Sequence, residues 1–227
     1  MNFDGRTVIV TGGTGSLGTA VVARLLAAGA TCRVPYLNER IAAAYIHRDR
    51  VELLRCDLTD EAAVAGLYAG VTPWASIHLA GGFAMSAVAD TGKAELMAMI
   101  EANLLTAQLC LRAAVAAFGN EGGRIVNVAA RPAMEPHMAG GMSAYAASKA
   151  AVVALTQAAA TELKERKILV NAVAPSTIDT PMNRAAMPDA DHARWPTPQE
   201  IADAIVFLAS PENVAVSGAV VPLYGRT

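Results

Sequence analysis

The sequence predicts an α/β fold, a doubly wound parallel sheet of about seven strands with helices on both faces, formed by residues 1–227 as a single domain. Three observations carry this prediction. Short β-branched runs alternate with Ala- and Leu-rich helical stretches from one end to the other. The first strand runs into a glycine-rich turn that opens a helix. The 227 residues are 54% hydrophobic and 17% charged, enough for one large core and too apolar for a disordered chain.

The elements follow in order. Arg6–Thr11 (RTVIVT) is a strand, and Leu17–Ala28 a helix ended by Gly29. Thr31–Tyr36 and Val51–Cys56 are strands, Asp60–Tyr68 a helix, and Ala75–Ala80 a strand stopped by Gly81-Gly82. A long helix covers about Lys93–Phe118. Arg124–Ala129 is the fifth strand, Ser143–Arg166 a long helix, and Ile168–Ala174 the sixth strand. Pro198–Ala209 is a helix and Ala219–Leu223 the last strand. Parallel strands joined by right-handed crossovers wind the sheet in both directions. Two irregular segments, 131–142 and 176–197, follow strands on the carboxyl side of the sheet, where such folds bind ligands. They are the expected substrate walls.

Charge and composition exclude several classes. A net charge of -2 offers no basic field for nucleic acid or an anionic membrane. No apolar run in the sequence reaches the roughly 18 residues of a membrane span. Cys32, Cys56 and Cys110 are odd in number and far apart, which reads as reduced thiols and a cytoplasmic protein. His47, His78, His137 and His192 show no metal-ligand spacing, so no metal is expected. His78, inside a strand, reads as a core or cofactor-side residue, and His137 as a surface one. Met134, Met138 and Met142 are candidates to line an apolar pocket, although packed loops are equally apolar. Met85, Met97 and Met99 read as helix packing.

The turn Thr11-Gly12-Gly13-Thr14-Gly15-Ser16-Leu17-Gly18 contains GxGxxG as Gly13, Gly15 and Gly18. In that pattern the first glycine permits the tight turn, the second lets backbone approach a pyrophosphate, and the third lets helix and strand pack closely. The helix N-terminus adds free N–H groups and a positive dipole end. A dinucleotide is therefore expected, NADP or NAD. The acidic residue that would bond an NAD ribose is Tyr36 here, and Arg40 or Arg33 is available to pair with a 2′-phosphate, so the expectation leans to NADP. Arg40 reads equally as the start of a solvated helix. Asp57 is placed either to bond the adenine amino group or to cap the next helix, although Thr59 or Asp60 serves that second purpose.

Tyr145 and Lys149 are four residues apart in a helical segment, on one face. A free tyrosine, with a pKa of about 10, is a poor acid–base catalyst near neutrality. A nearby lysine cation is expected to stabilise its phenolate and lower that value.

Taken together, these residues resemble the short-chain dehydrogenase/reductases over nearly the whole chain. The matching residues are TGGTGSLG at 11–18, Asp57-Leu58, Ala80-Gly81-Gly82, Asn103, Tyr145-x-x-x-Lys149, Asn171-Ala-Val-Ala-Pro175 and Ile178-x-Thr180. The resemblance implies a single Rossmann domain and an NAD(P)H-dependent oxidoreductase acting on a small C=N or C=O substrate. It implies Tyr145 as proton donor or acceptor and Lys149 as holder of the nicotinamide ribose, with Asn103 supporting a water behind Lys149. Gly12, Ser16, Leu17 and Gly18 would line the pyrophosphate, and Thr180 and the backbone of Ile178 would hold the carboxamide. Helices 95–118 and 143–164 would form a homodimer or homotetramer interface.

The sequence departs from the family at two places. The serine expected at the end of the fifth strand is Ala130, and Ser143 reads as a helix N-cap rather than its replacement. The turn has Gly15-Ser16 where common members carry the glycine later. Both departures resemble the dihydropteridine reductase branch, which lacks the serine; Ile178-Asp-Thr-Pro-Met-Asn-Arg184, running on through Met187-Pro to Trp195, is the strongest match. A carbonyl reductase, such as a 3-oxoacyl reductase, is the alternative within the family. A nucleotide-binding sensor without catalysis is the alternative outside it.

Overall fold

The computed structural model describes all 227 residues. In chain order the elements are β1 (Thr7–Thr11), α1 (Ser16–Ala27), β2 (Thr31–Tyr36), α2 (Glu39–Ala43), β3 (Glu52–Arg55), α3 (Glu61–Tyr68) and β4 (Ala75–His78). Then come α4 (Lys93–Met99), a π-helical turn (Ile100–Leu105), α5 (Thr106–Ala117), β5 (Gly123–Val128), α6 (Arg131–Met134) and α7 (Ser143–Glu162). β6 (Ile168–Pro175), α8 (Pro181–Ala186), α9 (Pro198–Ala209) and β7 (Val220–Leu223) complete the chain. The expected elements are all present, with ends differing by a few residues because caps and fraying set the boundaries.

All pairings are parallel, and the sheet order is β3-β2-β1-β4-β5-β6-β7. The order reverses between β1 and β4, so a crevice opens at their carboxyl ends. Strand alternation divides the core. Val8 and Val10 face α1 and α9, joining Val21, Leu25, Ile201 and Ile205. Ile9 points to the other face and joins Leu67, Leu111, Ile125 and Leu163 from α3, α5, β5 and the end of α7. Burying a Leu or Ile contributes about 1.5–3 kcal/mol, so these two layers dominate stability. All three cysteines are buried free thiols.

Lys93–Ala117 is one continuous helical stretch, long and apolar enough by length and composition to cross a membrane. It is not an uninterrupted apolar run, since Glu95, Glu101, Asn103, Gln108 and Arg112 break it. It packs within the domain, with Met99, Cys110, Leu111 and Ala114 buried. The irregular segments also hold short helices: α6 and a 3-10 turn at Pro136–Met138 in the first, α8 and a turn at His192–Arg194 in the second. Proline at the first turn starts α6 and α8, where its missing N–H costs nothing.

Candidate active site

The glycine turn forms a cradle at the carboxyl end of β1. Gly12 adopts φ +65°, and a Cβ there would lie 2.7 Å from the Ala80 backbone nitrogen. The left-handed residue of the turn is thus Gly12, one position earlier than the GxGxxG reading gives. At Gly13 a Cβ would lie 2.7 Å from Val34 Cγ1, so this glycine serves packing against β2. At Gly18 it would lie 2.1 Å from the Gly12 carbonyl oxygen, which confirms its close-packing role. Gly15 caps α1 with no side chain, and no acidic residue occupies the first turn. The first N–H groups of α1, at Ser16, Leu17 and Gly18, therefore face outward from the turn. Thr14 lies on the rim. A diphosphate fits this cradle because uncapped N–H donors stand at the N-terminus of α1, with no acidic side chain in its first turn.

Beyond the cradle, Thr14, Thr19, Asn38, Arg40 and Tyr45 line an open cleft of about 540 Å³. Arg40 is exposed there, on a short helix capped by the Asn38 side chain, whose Oδ1 accepts from Arg40 N at 2.9 Å. Arg33 is not available to a phosphate. It is buried, its Nε and Nη2 donate to the Glu52 carboxylate at 2.8 and 3.1 Å, and its Nη1 donates to the carbonyls of Leu67 and Ala69. The Tyr36 hydroxyl donates to Glu39 at 3.4 Å. Asp57 does not cap α3. Its Oδ1 accepts from the Thr59 backbone N–H at 2.9 Å and the Thr59 hydroxyl at 2.7 Å, which holds its carboxyl below the usual range, and Asp60 is the cap. Leu58 is partly buried against the α3 side of the core.

Tyr145 and Lys149 lie in the first two turns of α7. Lys149 is buried, and its Nζ donates to the Val128 carbonyl at the end of β5 at 2.8 Å. Burial pulls its ammonium down to about 8 and pushes the Tyr145 phenol up to about 12. The expectation that Lys149 lowers the Tyr145 pKa is corrected for this structure: desolvation of the phenolate outweighs any stabilisation by the lysine. Tyr145 therefore stays protonated across the ordinary range, the form a proton donor requires. The Phe83 ring meets the Tyr145 ring edge-on with centroids 5.0 Å apart, and Phe83 itself is exposed.

Asn103 is buried within the π-helical turn. Its Oδ1 accepts from Gly82 N at 3.0 Å, and its Nδ2 donates to the Gly82 carbonyl at 3.2 Å and the Ser148 hydroxyl at 3.0 Å. Such one-turn widenings often mark functional positions. The segment Ala80-Gly81-Gly82 leaves β4 and passes between Gly12 and Asn103. Asn103, Gly81, Lys149 and Tyr145 are thus brought into one neighbourhood, as the sequence pattern implies.

Ala130 is 5% exposed, at the start of α6. Ser143 does not cap α7. Met142 holds the cap position, and Ser143 is the exposed first residue of the helix. His137 is exposed, as expected of a surface histidine. Of the methionines read as helix packing, only Met99 is buried; Met85 is exposed, with its Cε 3.7 Å from where a Gly141 Cβ would lie. Met134 and Met138 are also exposed.

The second wall closes on itself. Pro175 ends β6. Thr180 is buried and caps α8 by accepting from Asn183 N at 3.2 Å, while Asn183 Nδ2 donates to the Ile178 carbonyl at 2.8 Å. Arg184 forks onto Asp179, Nε and Nη2 each donating to one carboxylate oxygen at 2.5 and 2.7 Å. The run Ile178-Asp-Thr-Pro-Met-Asn-Arg184 is therefore a small self-capped unit. Sequence reading missed the contacts that the C-terminal residues make with both irregular segments: Arg226 N donates to the Arg194 carbonyl at 2.9 Å, and the Arg131 guanidinium lies 4.6 Å over the Tyr224 ring. Tyr224 and Arg226 belong to no motif, so nothing in the sequence flags them.

Residues 6–191 match the family described as short chain dehydrogenase. Galactitol 2-dehydrogenase of Rhizobium johnstonii is 34% identical, with 96% of this chain and 93% of that protein covered. The 3-oxoacyl-[acyl-carrier-protein] reductase MabA of Mycobacterium tuberculosis is 30% identical, with 98% of this chain and 93% of that protein covered. Among solved structures, a blue fluorescent protein from a metagenomic library, in complex with NADPH, superposes with a TM-score of 0.88 at 28% identity, covering 99% of this chain and 98% of that one.

Proposed function

From the premise that this chain belongs to the short-chain dehydrogenase/reductase family, we propose that it is an NAD(P)H-dependent reductase of an electron-poor C=N or C=O group, with a quinonoid dihydropterin as the first-choice acceptor. The carrying observation is Ala130. A ketone gains reactivity when a hydroxyl polarises its oxygen, and the slot at the end of β5 offers none. A conjugated C=N system is already electron-poor and needs only one acid. The self-capped segment 178–184 and the flat, exposed Phe83 beside Tyr145 support a planar heterocycle.

When bound, the nicotinamide supplies the hydride to the acceptor carbon. The chain's own residues do the rest. Tyr145 donates its phenolic proton to the acceptor nitrogen or oxygen, and the buried Lys149 ammonium offsets the phenolate left behind. Asn103 holds the Gly82 backbone and supports a water leading to Lys149. Gly12, Thr14, Gly15, Ser16, Leu17 and Gly18 cradle the diphosphate. Tyr36, Asp57 and Leu58 flank the adenosine, and Arg40 takes the 2′-phosphate, so NADP(H) is preferred. Ala80, Gly81, Gly82, Pro175, Ile178 and Thr180 frame the nicotinamide side.

The names of the relatives favour a second reading, a carbonyl reductase or alcohol dehydrogenase, in which Tyr145 alone serves the oxygen. A non-catalytic sensor has no use for Asn103, Tyr145 and Lys149 together. The fold, the small substrate and the three buried thiols suit a cytoplasmic enzyme, a homodimer or homotetramer through residues 95–118 and 143–164. The test is NADH and NADPH oxidation with a quinonoid dihydropterin, with Tyr145→Phe as control. Rapid turnover lost in the variant supports the pterin reading. No turnover with pterin, but turnover with ketones, replaces it with the second.

A further inference from the structure

Five side chains form a buried chain of hydrogen bonds beneath the sheet, from α3 to α7. The Tyr68 hydroxyl meets Ser76 Oγ at 2.7 Å, Ser76 Oγ meets His78 Nε2 at 2.9 Å, and His78 Nδ1 meets Asn127 Oδ1 at 2.8 Å. Asn127 Nδ2 donates to Thr156 Oγ1 at 2.9 Å, and Thr156 Oγ1 donates to the Val152 carbonyl at 2.8 Å. The last bond fixes the direction of all the others. Thr156 spends its proton on Val152, so it accepts from the Asn127 amide. Asn127 Oδ1 then accepts, so His78 Nδ1–H donates and Nε2 accepts. Ser76 donates to that Nε2 and accepts from Tyr68. The bonds of the chain thus all run in one consistent sense.

Adjacent residues of β5 hold α7 at two points. Val128 accepts from Lys149, and Asn127 donates to Thr156, seven residues or about two turns further along the helix. These are the side-chain hydrogen bonds between the two elements. In the role that the family resemblance implies, Lys149 turns its ammonium to the nicotinamide ribose. The Asn127–Thr156 bond is then the tie that remains.

We propose that Thr156 and Asn127, with His78 setting the orientation of the Asn127 amide, are positioning residues that fix the rotation and height of α7, and so place Tyr145 and Lys149 in the working enzyme. The proposal rests on the assignment of those two residues as the acid and its support. None of the three touches substrate or cofactor; they act through the helix.

The test compares Thr156→Val, which keeps the shape and removes the hydroxyl, with Thr156→Ser, which keeps the hydroxyl. Turnover is measured with an acceptor whose reduction Tyr145→Phe abolishes. Thr156→Val is expected to lower kcat tenfold or more while KM and the NADPH Kd stay within twofold, and Thr156→Ser is expected to restore kcat. In parallel, hydrogen exchange of the 143–152 peptide in the NADPH complex is expected to quicken at least fivefold in Thr156→Val alone. Wild-type kcat in Thr156→Val, or equal losses in both variants, overturns the proposal. If Tyr145→Phe leaves turnover with every acceptor intact, the assignment of Tyr145 fails instead. The exchange experiment then still decides the anchoring role, since unchanged exchange in Thr156→Val refutes it.

Discussion

Gly81 lies so close to Asn103 that a Cβ at position 81 would stand 2.5 Å from Asn103 Oδ1 and 3.1 Å from Lys149 Nζ. Asn103 cannot retreat freely, because its amide is bonded to both backbone groups of Gly82 and to Ser148. Gly81→Ala is therefore expected to push the Asn103 and Lys149 side chains apart. We expect turnover to fall about tenfold or more, an effect of roughly 1.4 kcal/mol on the barrier, with the fold retained. Steady-state kinetics beside a thermal melt checks this, and unchanged turnover would show that Asn103 has no part in the reaction.

Tyr145→Phe removes the acidic proton while keeping the ring against Phe83. With general acid catalysis contributing about 10²–10⁴-fold, turnover should fall at least that far. Fluorescence titration with NADPH should give a Kd close to wild type. A variant that still turns over at the wild-type rate ends the role of Tyr145.

Lys149 is a buried cation, and its depressed pKa is a stability statement. The unfolded lysine takes up its proton near its ordinary value, while the folded one does so only near 8. Stability is therefore full above the unfolded pKa and is lost as the pH falls toward about 8, so at pH 7 the buried charge costs the fold on the order of 3 kcal/mol. Lys149→Met is expected to abolish turnover and to stabilise the cofactor-free protein by about 1–3 kcal/mol, less whatever the Val128 bond contributes. A urea titration at pH 7 checks the sign, and a destabilised, soluble variant would contradict it.

His78 is buried with its pKa pulled down to about 4, mainly by desolvation. The sign follows the same way. The unfolded histidine binds a proton as the pH drops below about 6.5, and the folded one only near 4, so stability is full above about 6.5 and falls by roughly 3 kcal/mol on the way down to 4. The slope of unfolding free energy against pH over this window should flatten in His78→Gln, the carboxylates being common to both proteins. Parallel slopes would place the acid sensitivity elsewhere.

Arg40 is the free cation of the cleft, since Arg33 is committed to Glu52 and two carbonyls. Arg40→Ala is expected to weaken NADPH by about tenfold to a hundredfold, the worth of a charge-assisted bond of about 1.5–3 kcal/mol, and to leave NADH nearly unchanged. Isothermal titration with both cofactors decides it. Equal losses for the two would remove Arg40 from the 2′-phosphate.

The fold was largely legible in the sequence because its signals are local and repeated. β-Branched runs such as Thr7–Thr11 and Ile168–Pro175 fill central strands buried on both faces, and helices between them can cover such a sheet in few ways. The glycine turn and the Tyr145–Lys149 spacing were legible for the same reason, since each motif lies within one or two turns of chain. What the sequence left open were the interactions of polar side chains with distant partners. Arg33 and Arg40 are alike in composition, and only the packing of β3 and α3 commits one of them to Glu52. Ser143 carries the residue type of a cap, but the turn at Gly141 places Met142 in that position. The direction of the Tyr145 pKa, the chain from Tyr68 to Thr156 and the contacts of Tyr224 and Arg226 likewise depend on residues far apart in sequence. Local pattern determines which elements form, through backbone geometry and apolar periodicity. Tertiary structure alone decides which charges lose water and which donors meet which acceptors, because both are set by the neighbours that folding brings together.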